Sequence, residues 1–328
     1  MKATVLFFFL LVASSLSAHT DDSLSYNLYK DKIVLYSDLG FGSAPFNFKD
    51  DFIDEQTKLK LRHNQKFVLG LGMAYKWFSL RLGIGLPGTL RSVKNYGNVD
   101  IQDLGLRFTV KKTFWDFDFR TYKGFVIKNA YHWNDTLNAL NPNAYIPGIR
   151  STNLSVNSWY LNLKNFKMQS VLGQVGDFNK SMGTWYVKGT INYFTIANEN
   201  GRLTPDALID SSQTRSFART ISAMDVGLVP GLAYAFRKGN WQLAAFGGLG
   251  GVIQSKFYTT GAITRGFLGL APRLDLRFIA GYSKPNYFIW FTSEFDLKST
   301  SFKEMKISHN YHLLRLVTGI RINKKKKN

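Results

Sequence analysis

From Lys66 to Pro87 the chain reads KFVLGLGMAYKWFSLRLGIGLP, and its side chains alternate through two arms. In the first arm Phe67, Leu69, Leu71, Met73 and Tyr75 share one face. Val68, Gly70, Gly72, Ala74 and Lys76 take the other. After the Trp77-Phe78 corner, Leu80, Leu82, Ile84 and Leu86 oppose Ser79, Arg81, Gly83 and Gly85. Successive Cβ atoms leave a strand on opposite sides, so a period of two is the mark of β-structure. The stretch is expected to be a hairpin with one apolar face and one small-or-charged face.

The same pattern recurs along the chain. Strands are expected near 31–38, 103–111, 114–125, 166–176, 183–195, 221–236, 240–256, 266–282, 286–298 and 311–322. With the two arms of the hairpin the count is about 12. Residues 126–165 read as a long Asn-rich insertion with room for a short strand near 156–163. Residues 196–219 read as a polar loop. Pro230 and Pro272 fall inside strands, and bulges are expected there because proline removes a ladder donor.

Alternation alone leaves two architectures open, since a water-soluble barrel that binds an apolar ligand turns its apolar face inward. Three features favour the opposite orientation. Connections alternate between tight corners near 77, 112, 178, 238 and 284 and longer segments at 87–98, 126–165, 196–219, 257–265 and 299–308, as in outer-membrane barrels with short periplasmic turns and long external loops. The tight corners carry aromatics, including Phe114 and Phe178. The candidate periplasmic girdle is Tyr75, Trp77, Phe78, Trp115, Phe236, Trp241, Tyr282 and Tyr287. The face opposite the apolar rows repeatedly mixes acids, bases and glycine, and unpaired charge is costly in a dry core. The expected fold is all-β: a single antiparallel transmembrane β-barrel of about 12 strands, an even number that puts both termini on the periplasmic side.

Residues 1–17, MKATVLFFFLLVASSLS, have a basic start, an apolar centre and small residues before Ser17, which is the layout of a secretory signal peptide. The apolar run is about half of the ~20 residues a membrane-spanning helix needs. The expected organisation is signal peptide 1–17, periplasmic lead-in 18–30, barrel 31–322 and basic tail 323–328, with Sec-type export to the outer membrane. The 328 residues include no cysteine, which excludes disulfides, thiolate metal sites and cysteine nucleophiles. The formal charge of +20 reads either as a soluble, mixed surface or as the mark of an anionic partner (nucleic acid, anionic lipid or acidic glycan), and an exported chain makes nucleic acid the poor choice.

YKWFSLRLGIGLP at 75–87, YKGF at 122–125, KSMGTW at 180–185, GLAYAF at 231–236 and APRLDLRFIAGYSKPNYF at 271–288 resemble a family of uncharacterised outer-membrane proteins of Gram-negative bacteria, catalogued as a domain of unknown function. The resemblance spans most of the chain after the leader. It implies a barrel and carries no activity, cofactor or site residue with it. One departure from ordinary outer-membrane barrels is the C-terminus. Theirs ends on an aromatic residue, and this one runs on to Lys324-Lys325-Lys326-Lys327-Asn328.

For chemistry, the reading favours a non-enzymatic barrel, either a narrow pore or a structural or surface-binding protein, with no catalytic, cofactor or metal residue assigned. The candidate lumen charge network is Asp116, Asp118, Arg120, Arg273, Asp275, Arg277, Glu294, Asp296, Arg315 and Arg321. His309 and His312 are three apart without a third metal ligand to complete a site. An alternative is a barrel-embedded enzyme acting on envelope lipid or glycan. His312 has the parity of Leu314 and Leu316 and so is expected to face lipid, but no serine can be assigned to it. Expected partners are outer-membrane lipids, the barrel-assembly machinery, and anionic headgroups. The headgroups would meet a basic rim of Lys76, Lys111, Lys112, Lys180, Arg237, Lys238, Lys284 and the lysine tail.

Overall fold

The computed structural model describes residues 25–50 and 59–324, apart from 112, 163, 210, 213, 262, 303 and 304. The signal-peptide segment and Lys325–Asn328 lie outside the described residues. The strands, in chain order, are β1 (Tyr26–Leu28), β2 (Lys32–Ser43), β3 (Phe46–Asp50), β4 (Leu59–Arg62), β5 (Lys66–Tyr75), β6 (Phe78–Thr89), β7 (Asp100–Val110) and β8 (Thr113–Ile127). The second half adds β9 (Ala144–Leu161), β10 (Gly176–Phe178), β11 (Met182–Asn198), β12 (Thr220–Lys238), β13 (Trp241–Thr259), β14 (Thr264–Ser283), β15 (Tyr287–Ser301) and β16 (Met305–Asn323).

Twelve of these close a ring of antiparallel neighbours: β2, β5, β6, β7, β8, β9, β11, β12, β13, β14, β15 and β16, with β16 returning to β2. The hairpin read from the sequence is β5–β6, in register with Leu71 opposite Leu82 and Tyr75 opposite Phe78. Its apolar row faces outward: Leu71, Leu82 and Ile84 are 59 %, 56 % and 60 % exposed. Leu249, Leu228 and Leu316 continue this exposed belt around the barrel. A band of this kind can only face hydrocarbon, and a closed barrel satisfies its backbone there.

The strand total agrees with the sequence reading, but one member differs. Residues 144–161 form a full barrel strand, β9, which leaves 128–143 as the loop. Its inward row, Asn153, Ser155 and Asn157, is polar, and its outward row includes Thr152 and Ser158, so little hydrophobic contrast marked it. The segment expected as strand 166–176 is instead part of a plug. It carries a single helical turn, Met168–Val171, and then β10, which pairs with β1 inside the periplasmic mouth. The end of the lead-in is therefore anchored at Tyr26–Leu28.

Four periplasmic connections are tight: 76–77, 111–112, 239–240 and 284–286. Lys76, Lys111 and Gly239 sit at left-handed φ of 51°, 53° and 58° in them. The external ends of β13–β16 run further than expected, leaving only 260–263 and 302–304 as connections. Neither proline makes a bulge. At Pro230 the register between β12 and β13 is unchanged, although the ladder skips from Leu228–Gly251 to Gly231–Gly248. Near Pro272 the β14–β15 ladder simply ends, at Leu274–Leu297.

At the external end β3 pairs with β16 and β4 with β8, bridging over the tops of β2, β5, β6 and β7. The interior is then layered. Phe46, Phe48, Leu59, Leu61, Phe125, Phe194 and Ile307 fill the external third. Trp159, Phe166, Phe178, Tyr186, Phe246, Phe288 and Trp290 fill the periplasmic third around the plug. The charged side chains occupy the layer between.

Candidate functional site: the charged lumen and its periplasmic mouth

The inward parity that exposes leucines to lipid brings acids and bases from opposite walls together. Arg277 on β14 reaches Asp116 on β8 at 3.2 Å, five strands away around the ring. It also lies 3.7 Å from Asp275 and 3.9 Å from Glu294. Arg120 binds Asp118 at 2.9 Å and Asp103 at 3.3 Å. Arg315 binds Asp103 at 2.8 Å and approaches Asp38 at 3.8 Å. Arg273 pairs with Asp225, and Lys298 with Asp296 at 3.2 Å.

Nine of the ten candidate network residues thus enter ion pairs with each other or with close partners. Arg321 does not. It lies lower, where it donates to the carbonyl of Gln174 at 2.8 Å and to Ser283 Oγ at 3.0 Å, and stacks on Tyr29 and Phe288. It ties the plug to the wall.

Sequence reasoning missed Asp38, Arg81, Asp103, Arg107, Lys188, Asp225 and Lys298. Arg81 grips Asp38 with two bonds of 2.6 and 2.7 Å and Asp103 with a third contact of 2.7 Å. Lys188 reaches Asp275 at 3.0 Å. Their signal was inward parity alone, and Arg81 and Lys188 are each the lone charge on the inward row of their strand. Gly70 makes the first of these pairs possible: a Cβ there would sit 2.2 Å from Asp38 Oδ2.

Little space remains. A cavity of about 30 Å³ lies among Asp38, Arg81, Arg107, Glu294 and Arg315. Another of about 30 Å³ lies among Asp118, Lys188, Arg277, Asp296 and Lys298. Each has room for a water molecule or two, and the polar walls would hold it.

The periplasmic mouth offers more room. A cleft of about 460 Å³ opens between the plug and the β7–β8 turn, with Tyr26, Phe114 and Phe166 among its walls and Lys111, Lys164 and Lys167 around it. The expected girdle stands outside this rim: Trp77, Phe236, Trp241 and Tyr287 are exposed, while Tyr75, Phe78, Trp115 and Tyr282 are half-buried. Trp241 meets Tyr282 edge-on at 5.3 Å, and Trp115 stacks with Phe108 at 6.0 Å. Phe114 and Phe178, expected among the rim aromatics, point inward and are buried, because each has the parity of the lumen face or belongs to the plug.

On the lipid-facing wall, His312 does have a serine. Ser293 Oγ on β15 lies 3.4 Å from its Nε2. The partner was missed because it is diagonal across the β15–β16 ladder, where Ser293 faces Leu314 and His312 faces Phe295. Among the described residues no group of three or more His, Asp or Glu is placed to hold a metal ion.

The profile of the family described as Domain of unknown function (DUF4421) matches residues 21–319. The chain belongs to that family. Comparison of this DUF4421 chain with curated protein sequences gives no match. Among solved structures, it is similar to the translocator domain of autotransporter NalP from Neisseria meningitidis, at 10 % identity and a TM-score of 0.43, covering 98 % of this chain and 96 % of that one. It is also similar to the P. putida toluene transporter TodX, at 9 % identity and a TM-score of 0.31, covering 90 % and 91 %. A third is the COG4313 outer membrane channel from Pseudomonas putida F1, at 10 % identity and a TM-score of 0.33, covering 92 % and 100 %. At these values the likeness carries nothing about what the DUF4421 barrel does.

Proposed function

We propose that this protein is a closed, non-conducting outer-membrane barrel that works through its surfaces, with the basic periplasmic cleft as a binding site for anionic headgroups. The observation that supports closure is the cross-lumen bonding. Asp116 to Arg277, Arg315 to Asp103 and Lys298 to Asn153 each join strands four or five places apart, and they do so at 2.8–3.2 Å. A water-filled channel keeps charges hydrated along its wall. Here Asp116, Arg120, Arg273 and Arg315 are buried, and each is held in an ion pair, with Arg277, Asp118, Asp225 and Asp103 respectively. Apolar layers lie above and below them.

Lys111, Lys164 and Lys167 around an aromatic-walled cleft suit a phosphate-bearing headgroup, since each lysine near a charged surface contributes about 1 kcal/mol. The test is single-channel recording in planar bilayers. The intact protein should show no stable conductance. A variant in which residues 164–178 are replaced by a short Gly-Ser linker should also stay closed, because the cross-lumen bonds and the external apolar layer remain. Steady channels from the intact barrel would overturn the proposal.

A further inference from the structure

We propose that Ser293 and His312 form a nucleophile–base pair on the lipid-facing wall that cleaves acyl esters of outer-leaflet lipids. The inference goes beyond the closed-barrel reading and does not depend on it, since the pair stands outside the lumen. It begins with a polar intrusion into an apolar belt. On β15 the outward row is Tyr287, Ile289, Phe291, Ser293, Phe295 and Leu297. On β16 it is Ile322, Ile320, Thr318, Leu316, Leu314, His312 and Asn310. An ionisable group set among such residues is costly in hydrocarbon and asks for a function and a partner.

The partner is present, with Ser293 Oγ 3.4 Å from His312 Nε2. That is loose for a ground-state bond, and pairs of this kind tighten when substrate excludes the remaining freedom. Phe295, opposite His312 across the ladder, meets its ring edge-on at 6.4 Å and limits its rotation. Asn310 lies two residues along the same face, and its Oδ1 is buried without a hydrogen-bond partner among the described residues. An acceptor is what the second imidazole nitrogen requires when the first acts as a base. Ser43 on β2, the other cross-strand neighbour of His312, brings a second hydroxyl to the patch as a donor for a developing oxyanion.

The height fits an ester. Ten residues separate His312 from Ile322 at the periplasmic end. That is about 33 Å along a strand, and about 25 Å of height at a tilt of about 40°, the full thickness of the apolar band. The pair therefore stands at the outer boundary of the hydrocarbon, where acyl chains join their headgroups.

The chemistry balances without a cofactor. Ser293 Oγ attacks the ester carbonyl while His312 Nε2 takes the hydroxyl proton. The carbon–oxygen bond to the alcohol breaks, and that alcohol leaves with the proton from His312. Water then adds to the acyl-serine with His312 again as base, releasing the fatty acid and restoring the serine.

The test uses the full-length protein in detergent micelles and in vesicles. A fluorophosphonate probe should label Ser293, identified by peptide mapping. Label should vanish in Ser293→Ala and fall about 100-fold or more in His312→Ala. Asn310→Ala should show a smaller loss and an altered pH profile. Release of fatty acid is measured from a glycerophospholipid and from an O-acylated glycolipid, and cleavage of either supports the pair while naming its source. All three variants change lipid-facing side chains and should still shift on heating in gel electrophoresis as folded barrels do. No label on the intact protein, or equal label and turnover in folded Ser293→Ala, would overturn the proposal.

Discussion

Gly70→Ala is the smallest change that should disturb the charged layer. Gly70 lies on β5 directly opposite Asp38 on β2. A methyl group there would stand 2.2 Å from Asp38 Oδ2 and 2.6 Å from Arg81 Nε, the two atoms of the shorter bond in that pair. The carboxylate must swing away, and both groups are nearly inaccessible to water, at 2 % and 5 % exposure. Separating a buried pair costs about 3–5 kcal/mol. Arg81 keeps Asp103 at 2.7 Å, so the lower end, about 3 kcal/mol, is expected. Asp38→Ala should cost a similar amount by removing the same bonds. The double variant should then cost about 3–4 kcal/mol rather than about 6, because the second change finds the pair already gone. Urea unfolding in phospholipid vesicles, followed by tryptophan fluorescence, measures all three. Gly189→Ala is the control: its added carbon would have nothing nearer than 3.8 Å, and stability should stay within about 0.5 kcal/mol. A Gly70→Ala barrel as stable as the parent, or strictly additive costs, would refute the argument that lumen glycines seat the ion pairs.

Replacing Lys111, Lys164 and Lys167 together by glutamine should weaken binding to vesicles containing anionic lipid while leaving binding to neutral vesicles unchanged. Equal binding of variant and parent to both would remove the cleft as the site. Glu199, in the external loop after β11, is held below the usual carboxylate range by the Lys123 ammonium at 2.7 Å and then by Arg150 at 3.0 Å. A lowered folded-state value means that this contact stabilises the loop fully above the ordinary carboxylate value, about 4.3, and is lost as pH falls through the lower one. Amide exchange in residues 199–204 should thus be level from pH 7 to about 5, after correction for intrinsic rates, and faster below about 4. Glu199→Gln should abolish that step.

Period-two patterning made the membrane wall legible wherever the two faces differ in polarity. The β5–β6 hairpin, with leucines against glycines and Arg81, is the clearest instance. It failed at β9, where Thr152, Ser158 and Asn153 blur the contrast between the faces. It misfired at 166–176, where the buried Phe166, Met168, Val171 and Val175 gave an apolar segment of strand length. That error follows from the physics of a plug: a segment folded into a barrel's mouth must present apolar side chains to the lumen wall, as a strand presents them to lipid. The charge network was legible where acids and bases repeat along one strand, as at Arg273, Asp275 and Arg277. It was not where a strand supplies one member, as Lys188 does, because only the closed ring brings that lysine to Asp275.

The end of the β14–β15 ladder fixes where the bilayer stops. Beyond Leu274–Leu297, residues 264–273 of β14 have no ladder partner on that side among the described residues, although β13 still pairs with all of them. Two carbonyls on the facing edge, those of Ser299 and Ser301, are taken by Gln254 and Lys256 side chains reaching across from β13. Two effects bear on the level of this edge. Leu268 and Leu270 are 76 % and 86 % exposed, and burying each in lipid would gain about 1.5–3 kcal/mol. Each unpaired backbone group in hydrocarbon costs several kcal/mol, and about half of ten residues direct such groups toward the gap. The second effect is several times larger, so the hydrocarbon boundary must fall near Leu274 and Leu297, with the β14 edge in the aqueous headgroup zone above it. Leu297 pairs with Asn310, two residues above His312 on the same face. The backbone of one strand pair and the strand length of another therefore place Ser293 and His312 at the same depth, just inside the outer boundary of the hydrocarbon.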